Sequence, residues 1–151
     1  QTGYTVTVNG QKVDGQLQKG YMAINRQWKK GDVVRIHFDM EPRTVVANSQ
    51  VKDDQGRMAV ERGPLVYCAE WKDNQNMDIF RFVWNKNPKF DVVNCPGVVG
   101  GIRELTTTGQ ALSQDKEGRV SVKDVRLTLI PYYAWNHRGV GKMEVWLKKD
   151  L

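Results

Sequence analysis

The fold of this chain depends on the stretch Met58-Ala59-Val60-Glu61-Arg62-Gly63-Pro64-Leu65-Val66-Tyr67-Cys68-Ala69-Glu70, in which two short apolar runs flank an Arg-Gly-Pro corner. Pro64 has no N–H to donate to a strand ladder, and Gly63 can adopt backbone angles that other residues avoid. The stretch therefore predicts a strand, a sharp bend or bulge, and a second strand. At such a corner the chain could cross from one sheet to another.

Segments of alternating apolar and polar residues precede the corner. Tyr4 to Val8 alternates as a half-buried strand does, and Asn9-Gly10 after it is a strong hairpin signal because both residues accept positive φ. Val33 to Met40 is the clearest strand of the chain. Alternation places Val34, Ile36, Phe38 and Met40 on one face of that strand, and Arg35, His37 and Asp39 on the other.

Further strands are predicted after the corner, and no segment of the chain has a sustained helical period. The clearest are Ile79–Trp84, Val125–Ile130 and Met143–Leu147, with Phe80, Phe82 and Trp84 on one face of the first. The polar stretch from Ser113 to Arg119 predicts a solvated loop. About a dozen short strands separated by Gly, Pro, Asn and Asp predict an all-β fold. We expect an antiparallel, jelly-roll-like β-sandwich, built as one sandwich or as two packed β halves.

Length and charge limit the domain count and the classes of partner. The 151 residues suit one domain or two joined halves, with a boundary near residues 72–78 or an ordinary loop there. The net charge is +6, but acidic residues interrupt the basic ones, whereas nucleic-acid binding usually needs a clustered basic patch. No apolar run approaches the ~20 residues of a membrane helix. We therefore expect neither a nucleic-acid nor a membrane partner. Because the sequence begins at Gln1 instead of Met, we expect a fragment of a longer protein.

No group of reactive residues in the sequence forms a convincing catalytic or cofactor motif. Cys68 and Cys95 are too few for a metal site, and either a disulfide or two buried free thiols would explain them. Glu61 and Glu70 could flank a sugar as a carboxylate pair, or could pair with nearby bases. The two histidines, His37 and His137, have no nucleophile in their local context. We therefore predict no catalytic, metal-binding or cofactor-binding residue in this chain.

One loop combines aromatic and hydrogen-bonding side chains, and we take it as the candidate site. Its residues are Tyr132, Tyr133, Trp135, Asn136, His137 and Arg138. Such a mixture suits stacking on a sugar ring, and it equally suits docking against a neighbouring domain or subunit. Simple core packing is the third alternative.

Several stretches in this order resemble the C-terminal β-sandwich region of the β-L-arabinofuranosidase-like glycoside hydrolases of family 127, long known as a domain of unknown function. They are Tyr4–Gly10, Gly20-Tyr21 with Trp28 and Gly31-Asp32, Arg62–Tyr67, Ile130–Trp135 and Val145-Trp146-Leu147. The resemblance extends over most of the chain. Each motif alone is weak, and the ordered set is more specific.

The resemblance implies that residues 1–151 are one part of a larger enzyme. Members of the family carry their chemistry on an (α/α)6 barrel N-terminal to the sandwiches, with a zinc-bound cysteine nucleophile. Neither Cys68 nor Cys95 matches that cysteine motif, and the first strands of the sandwich would precede Gln1. The partner implied is thus the N-terminal catalytic barrel of the same polypeptide. A carbohydrate-binding module, holding a glycan by its exposed aromatics, is the alternative.

Overall fold

The computed structural model describes residues 3–149, and the chain divides into two compact units, Gln1–Glu41 and Pro42–Leu151. The division therefore falls between Glu41 and Pro42, away from the stretch at 72–78. That stretch lies inside the second unit, where the buried Asn74 side chain donates to the carbonyl oxygens of Glu70 and Thr128 at 2.8 and 2.9 Å. Asn74 also accepts from the Thr128 N–H at 2.8 Å, so hydrogen bonds hold this polar segment within the second unit.

The first unit consists of two small antiparallel sheets. Its strands are β1 (Tyr4–Val8), β2 (Gln11–Lys12), β3 (Gln16–Gln18), β4 (Tyr21–Ala23) and β5 (Val34–Phe38). One sheet has the order β2-β1-β5, and β3 pairs with β4 in the other. Asn9 and Gly10 have φ of 52° and 81° between β1 and β2, which confirms the predicted hairpin turn with two left-handed residues.

The predicted alternation in the first unit is confirmed. Val6 pairs with Ile36, and the flanking pairs of the same ladder, Tyr4 with Phe38 and Val8 with Val34, place all six apolar side chains on one face. Val6 and Val8 of β1 are buried, as the half-buried pattern predicted. All five residues of β5 are exposed, including its three apolar ones.

The second unit is a mixed sheet of nine strands. They are β6 (Pro42–Val46), β7 (Arg57–Arg62), β8 (Leu65–Glu70), β9 (Phe82–Trp84), β10 (Asp91–Cys95), β11 (Ile102–Gln114), β12 (Val120–Pro131), β13 (Met143–Glu144) and β14 (Leu147–Lys148). Strand order is β13-β8-β12-β11-β9-β14-β7-β6, with β10 on β11. All pairings are antiparallel except β14 with β9. The predicted all-β sandwich fold is confirmed.

Six of these strands close into a ring. The path β8-β12-β11-β9-β14-β7 returns to its start because β7 also pairs with β8. Every strand of the ring contributes side chains to one core, which comprises Met58, Val60, Tyr67, Ala69, Phe82, Trp84, Leu105, Leu127, Leu129 and Leu147, with Ile79 beside them. Burial of these apolar groups is the main source of stability for this unit.

The Gly-Pro corner joins β7 directly to β8. Arg62 pairs with Leu65, Glu61 with Val66 and Val60 with Tyr67, so only Gly63 and Pro64 form the turn. Gly63 has a φ of +56°, and a glycine with positive φ at the first central position is the signature of a type II′ hairpin turn. The predicted strand-bend-strand is confirmed, but the chain does not cross between sheets here, because the two strands are neighbours in one sheet.

Three local predictions after the corner are wrong in detail. Residues Ile79–Arg81 form a 3₁₀ helix, because the Asp78 side chain accepts from the Phe80 N–H at 3.2 Å and caps the turn. Phe80 therefore points to solvent while Phe82 and Trp84 are buried. The solvated loop is shorter than predicted, since β11 continues to Gln114. The last predicted strand is split into β13 and β14.

Helices play a small part in the described residues. The four that occur are 3₁₀ turns of three residues each: Lys52–Asp54, Trp71–Asp73, Ile79–Arg81 and Tyr132–Ala134. Across residues 3–149, none is long and apolar enough to cross a membrane.

Replacing Gly63 by Ala tests the hairpin turn. We expect Gly63→Ala to lower the free energy of unfolding by about 1–2 kcal/mol, because a Cβ is disfavoured at positive φ. Gly97→Ala is the matched control, since Gly97 has no positive φ and a Cβ there would meet nothing within 4 Å. Urea unfolding measures both changes, and equal effects for the two variants would contradict the turn assignment.

Candidate docking site at the aromatic loop

The aromatic loop, residues 132–139, begins where β12 ends. The chain leaves β12 at Pro131 and makes the 3₁₀ turn Tyr132–Ala134, and Trp135 then donates its N–H to the Tyr132 carbonyl oxygen at 3.3 Å. The segment continues to Lys142, whose carbonyl oxygen accepts from the Trp71 N–H at 2.9 Å. The loop therefore lies beside the end of β8, which is fixed in turn by the strand ladder.

Arg138 ties the loop to the end of β8 through two carboxylates. Its guanidinium donates to Asp73 at 2.7 and 2.5 Å and also to Glu70. The other Glu70 oxygen accepts from the Asn136 N–H at 3.2 Å. The Glu70 side chain is 2% exposed and that of Arg138 is 20% exposed, so this ion pair is largely removed from water. Hydrogen bonds to Asp73, and then to Glu70, raise the pKa of Arg138 and keep it charged.

The loop packs on a second apolar cluster outside the ring of strands. Its buried members are Cys68, Val98, Ile102, Ile130 and Ala134. Trp135 is half-buried and packs against this cluster, and its ring centroid is 6.2 Å from that of Tyr132 at an angle of 45°. Ala134 and part of the Trp135 side chain therefore pack in an apolar core, which was one of the three alternatives considered for the loop.

The remaining predicted site residues face outward or hold the loop in place. Tyr132 and Tyr133 are 46% and 53% exposed, and Asn136 and His137 are exposed as well. Asn136 has a φ of 65°, a left-handed conformation that asparagine tolerates. The six residues therefore lie on one loop, with two exposed tyrosine rings and with Arg138 partly buried in its ion pair.

Tyr133 borders a small polar cavity that the sequence did not reveal. This cavity, which we name the basic niche, has a volume of about 260 Å³ and is lined by Arg62, Leu65, Tyr67, Asn94, Gly101, Ile102, Arg103, Pro131 and Tyr133. No carboxylate is among its lining residues, and the Arg62 Nε is buried without a hydrogen-bond partner in residues 3–149. The Tyr67 hydroxyl donates to the Arg103 carbonyl oxygen at 2.8 Å, and burial raises the pKa of Tyr67. The niche can therefore accept a negatively charged group.

The other chemistry-bearing residues considered from the sequence are Glu61, Glu70 and the two cysteines. Glu61 pairs with Arg43 at 2.6 Å, and Glu70 pairs with Arg138, so each carboxylate has a basic partner. Within the described residues, no group of three His, Cys, Asp or Glu side chains could hold a metal ion. Both thiols are free. Burial, and next the Glu70 carboxylate, raise the pKa of Cys68 to about 12.

Removing the Arg138 charge tests how the loop is held. Arg138→Met should destabilise the protein by about 3 kcal/mol, because Glu70 would remain buried without a counter-charge. Arg119→Met is the control, since that side chain is 77% exposed and its pairs should contribute less than about 1 kcal/mol. Urea unfolding at neutral pH compares the variants. A loss for Arg138→Met as small as that of the control would show that the ion pair does not anchor the loop.

Comparison with known proteins identifies both units. Residues 42–148 match the family model described as the glycoside hydrolase family 127 C-terminal domain. Residues 1–40 match the model of the β-L-arabinofuranosidase GH127 middle domain. The boundary between the two matches coincides with the boundary between the two compact units.

Three relatives are similar over nearly the whole chain. A non-reducing end β-L-arabinofuranosidase from Bifidobacterium longum subsp. longum is 34% identical over 97% of this chain and 24% of its own length. The solved structure of a GH127 β-arabinofuranosidase is 56% identical, with a TM-score of 0.89 over 99% of this chain and 23% of its own. A GH127 β-L-arabinofuranosidase from Geobacillus stearothermophilus T6 is 32% identical, with a TM-score of 0.83 over 98% and 25%.

The chain thus spans about a quarter of the length of each of these relatives. The two family models match the two units of the chain in the order middle domain, then C-terminal domain. These matches agree with the resemblance seen in the sequence motifs. On this evidence the chain belongs to glycoside hydrolase family 127, and its two units correspond to the family's middle and C-terminal domains.

Proposed function

We propose that this chain is a non-catalytic β module of a family 127 glycoside hydrolase, and that it supports an N-terminal (α/α)6 catalytic barrel of the same polypeptide through interdomain contacts. The whole enzyme would act on β-L-arabinofuranosides. The relatives named for this activity support the proposal, since the chain corresponds to only about a quarter of each.

The observation that carries the proposal is the exposure of Tyr132 and Tyr133 on a loop that is itself held rigidly. Aromatic side chains anchor interfaces because they bury a large area while losing little conformational entropy. The pairing of Arg138 with Glu70 and Asp73 holds the loop in place. The loop therefore loses its conformational entropy on folding, and docking does not need to order it. This surface therefore suits docking against another domain.

The basic niche beside Tyr133 gives the docking surface its charge. Arg62 and Arg103 line it, and none of its lining residues is a carboxylate. Arginine favours carboxylates because its planar guanidinium can bind them through two hydrogen bonds. We propose that an Asp or Glu side chain of the barrel enters the niche.

Two observations favour docking over the other functions considered. The rings of Tyr132 and Trp135 are inclined by 45°, whereas a carbohydrate-binding module that stacks sugars usually presents a flat aromatic platform. Glu61 and Glu70 each bind an arginine, which is the structural role considered for them beside catalysis. A glycosidase needs two carboxylates about 5–10 Å apart across its substrate.

Substitution of Tyr133 in the full-length enzyme tests the docking surface. We expect Tyr133→Ser to speed proteolytic cleavage between the barrel and this module several-fold, because an interface anchor is lost. Tyr133 is a better probe than Trp135, whose replacement would also disturb the apolar cluster beneath it. Val120→Ser, at an exposed position of β12, is the control. Cleavage at the unchanged rate in Tyr133→Ser would refute docking through this loop.

Incubation of the chain alone with an aryl β-L-arabinofuranoside tests the non-catalytic assignment. We expect no release of the aryl group above the buffer rate, because the two candidate carboxylates, Glu61 and Glu70, are each paired with an arginine. Release that disappears in Glu61→Gln or Glu70→Gln would instead assign catalysis to this chain.

A further inference from the structure

Among the described residues, the half-buried arginines are Arg57, Arg62 and Arg138. Arg57 pairs with Glu144, and Arg138 pairs with Glu70. Arg62 forms no ion pair in the part of the chain that the structure describes, and its Nε is buried without a hydrogen-bond partner there. A guanidinium is always charged, and a charge that is withdrawn from water without a counter-charge is unfavourable. Arg62 therefore lacks the carboxylate that the other two half-buried arginines have.

The other residues of the basic niche add positive charge and hydrogen-bond donors. Arg103 lines the niche and, like Arg62, forms no ion pair with a described residue. Asn94 and Tyr133 are also among the lining residues, and an amide and a hydroxyl can both donate hydrogen bonds. None of the nine lining residues is acidic. The niche therefore suits a ligand whose hydrogen-bond acceptors carry negative charge.

The volume of the basic niche limits the size of the ligand. About 260 Å³ equals the volume of roughly nine water molecules at ~30 Å³ each. One carboxylate group of an Asp or Glu side chain fills only part of that space, so phosphate or a small molecule that carries a carboxylate would also fit. Arginine binds both kinds of oxyanion through two parallel hydrogen bonds. The chemistry of the niche thus suits a free oxyanion as well as a protein side chain.

We propose that the basic niche is a binding site for a small free oxyanion, a phosphate or a carboxylate, which competes there with the acidic side chain of the barrel. Competition rests on the docking proposed above, in which that side chain occupies the niche. An anion that binds only the undocked niche shifts the population toward the undocked module. The concentration of free oxyanion would therefore regulate how firmly this module is held against the barrel.

Proteolytic cleavage between the barrel and this module, in the full-length enzyme, measures the competition. We expect inorganic phosphate to speed cleavage several-fold and saturably, relative to chloride at the same ionic strength. Chloride screens charge equally but cannot bind an arginine through two hydrogen bonds. Glucuronate, tested in the same way, offers a carboxylate in place of phosphate. A saturable effect of either anion supports the proposal and identifies which group the niche accepts, whereas cleavage that changes with neither anion would overturn it.

Arg62→Gln assigns the anion effect to the niche. We expect this variant to be cleaved several-fold faster than the wild type without added anion, and phosphate or glucuronate to cause no further increase. Arg119→Gln is the matched control, since that arginine is 77% exposed and does not line the niche, and it should keep the wild-type response. If Arg62→Gln does not fold, Arg103→Gln, at an exposed position, replaces it. An anion effect that persists in the niche variant would overturn the proposal.

The variants also separate failure of the anion site from failure of docking. Faster cleavage of Tyr133→Ser and Arg62→Gln, with no response of the wild type to either anion, would leave docking intact and overturn the anion site alone. Basal cleavage that is unchanged in both variants would refute docking, and the competition with it.

Discussion

The pairing of β7 with β8 across the two-residue turn is the contact on which the second unit depends. Without it, the path from β8 through β12, β11, β9 and β14 to β7 would be an open sheet. With it, six strands surround one core, and the apolar side chains of all of them are removed from water together. The turn can be this tight because Gly63 accepts a positive φ and Pro64 needs no N–H partner.

Closing the ring also creates the surface that carries the candidate site. Side chains alternate along β8 and β12, so Tyr67 and Leu129 point into the core while Cys68 and Ile130 point outward. The outward pair supports a second cluster, and the aromatic loop rests on it. The largely buried pairing of Arg138 with Glu70 then sets the position of the loop, since leaving either charge unpaired there would be costly.

The two units differ in how their sheets are completed. In the second unit the ladder returns on itself and encloses its core. In the first unit a sheet of three strands and a hairpin leave one apolar face exposed. A sheet with one apolar face needs a second layer to bury it.

The sequence by itself determined the class of fold, most strands and the family, because these depend on neighbouring residues. Alternation in Tyr4–Val8, positive φ at Asn9-Gly10 and the bend at Gly63-Pro64 are local properties, and each was confirmed. Prediction failed at Phe80, where a single cap from Asp78 turned the predicted strand into a 3₁₀ turn. It also missed the closure of the ring, because alternation does not reveal which strands are neighbours.

Only the tertiary structure decided that Arg138 meets Glu70, 68 residues away, and that Arg62, Asn94 and Arg103 from three strands share one niche. Such contacts depend on strand order and register, which arise from the burial of the whole core and which no short stretch of sequence contains.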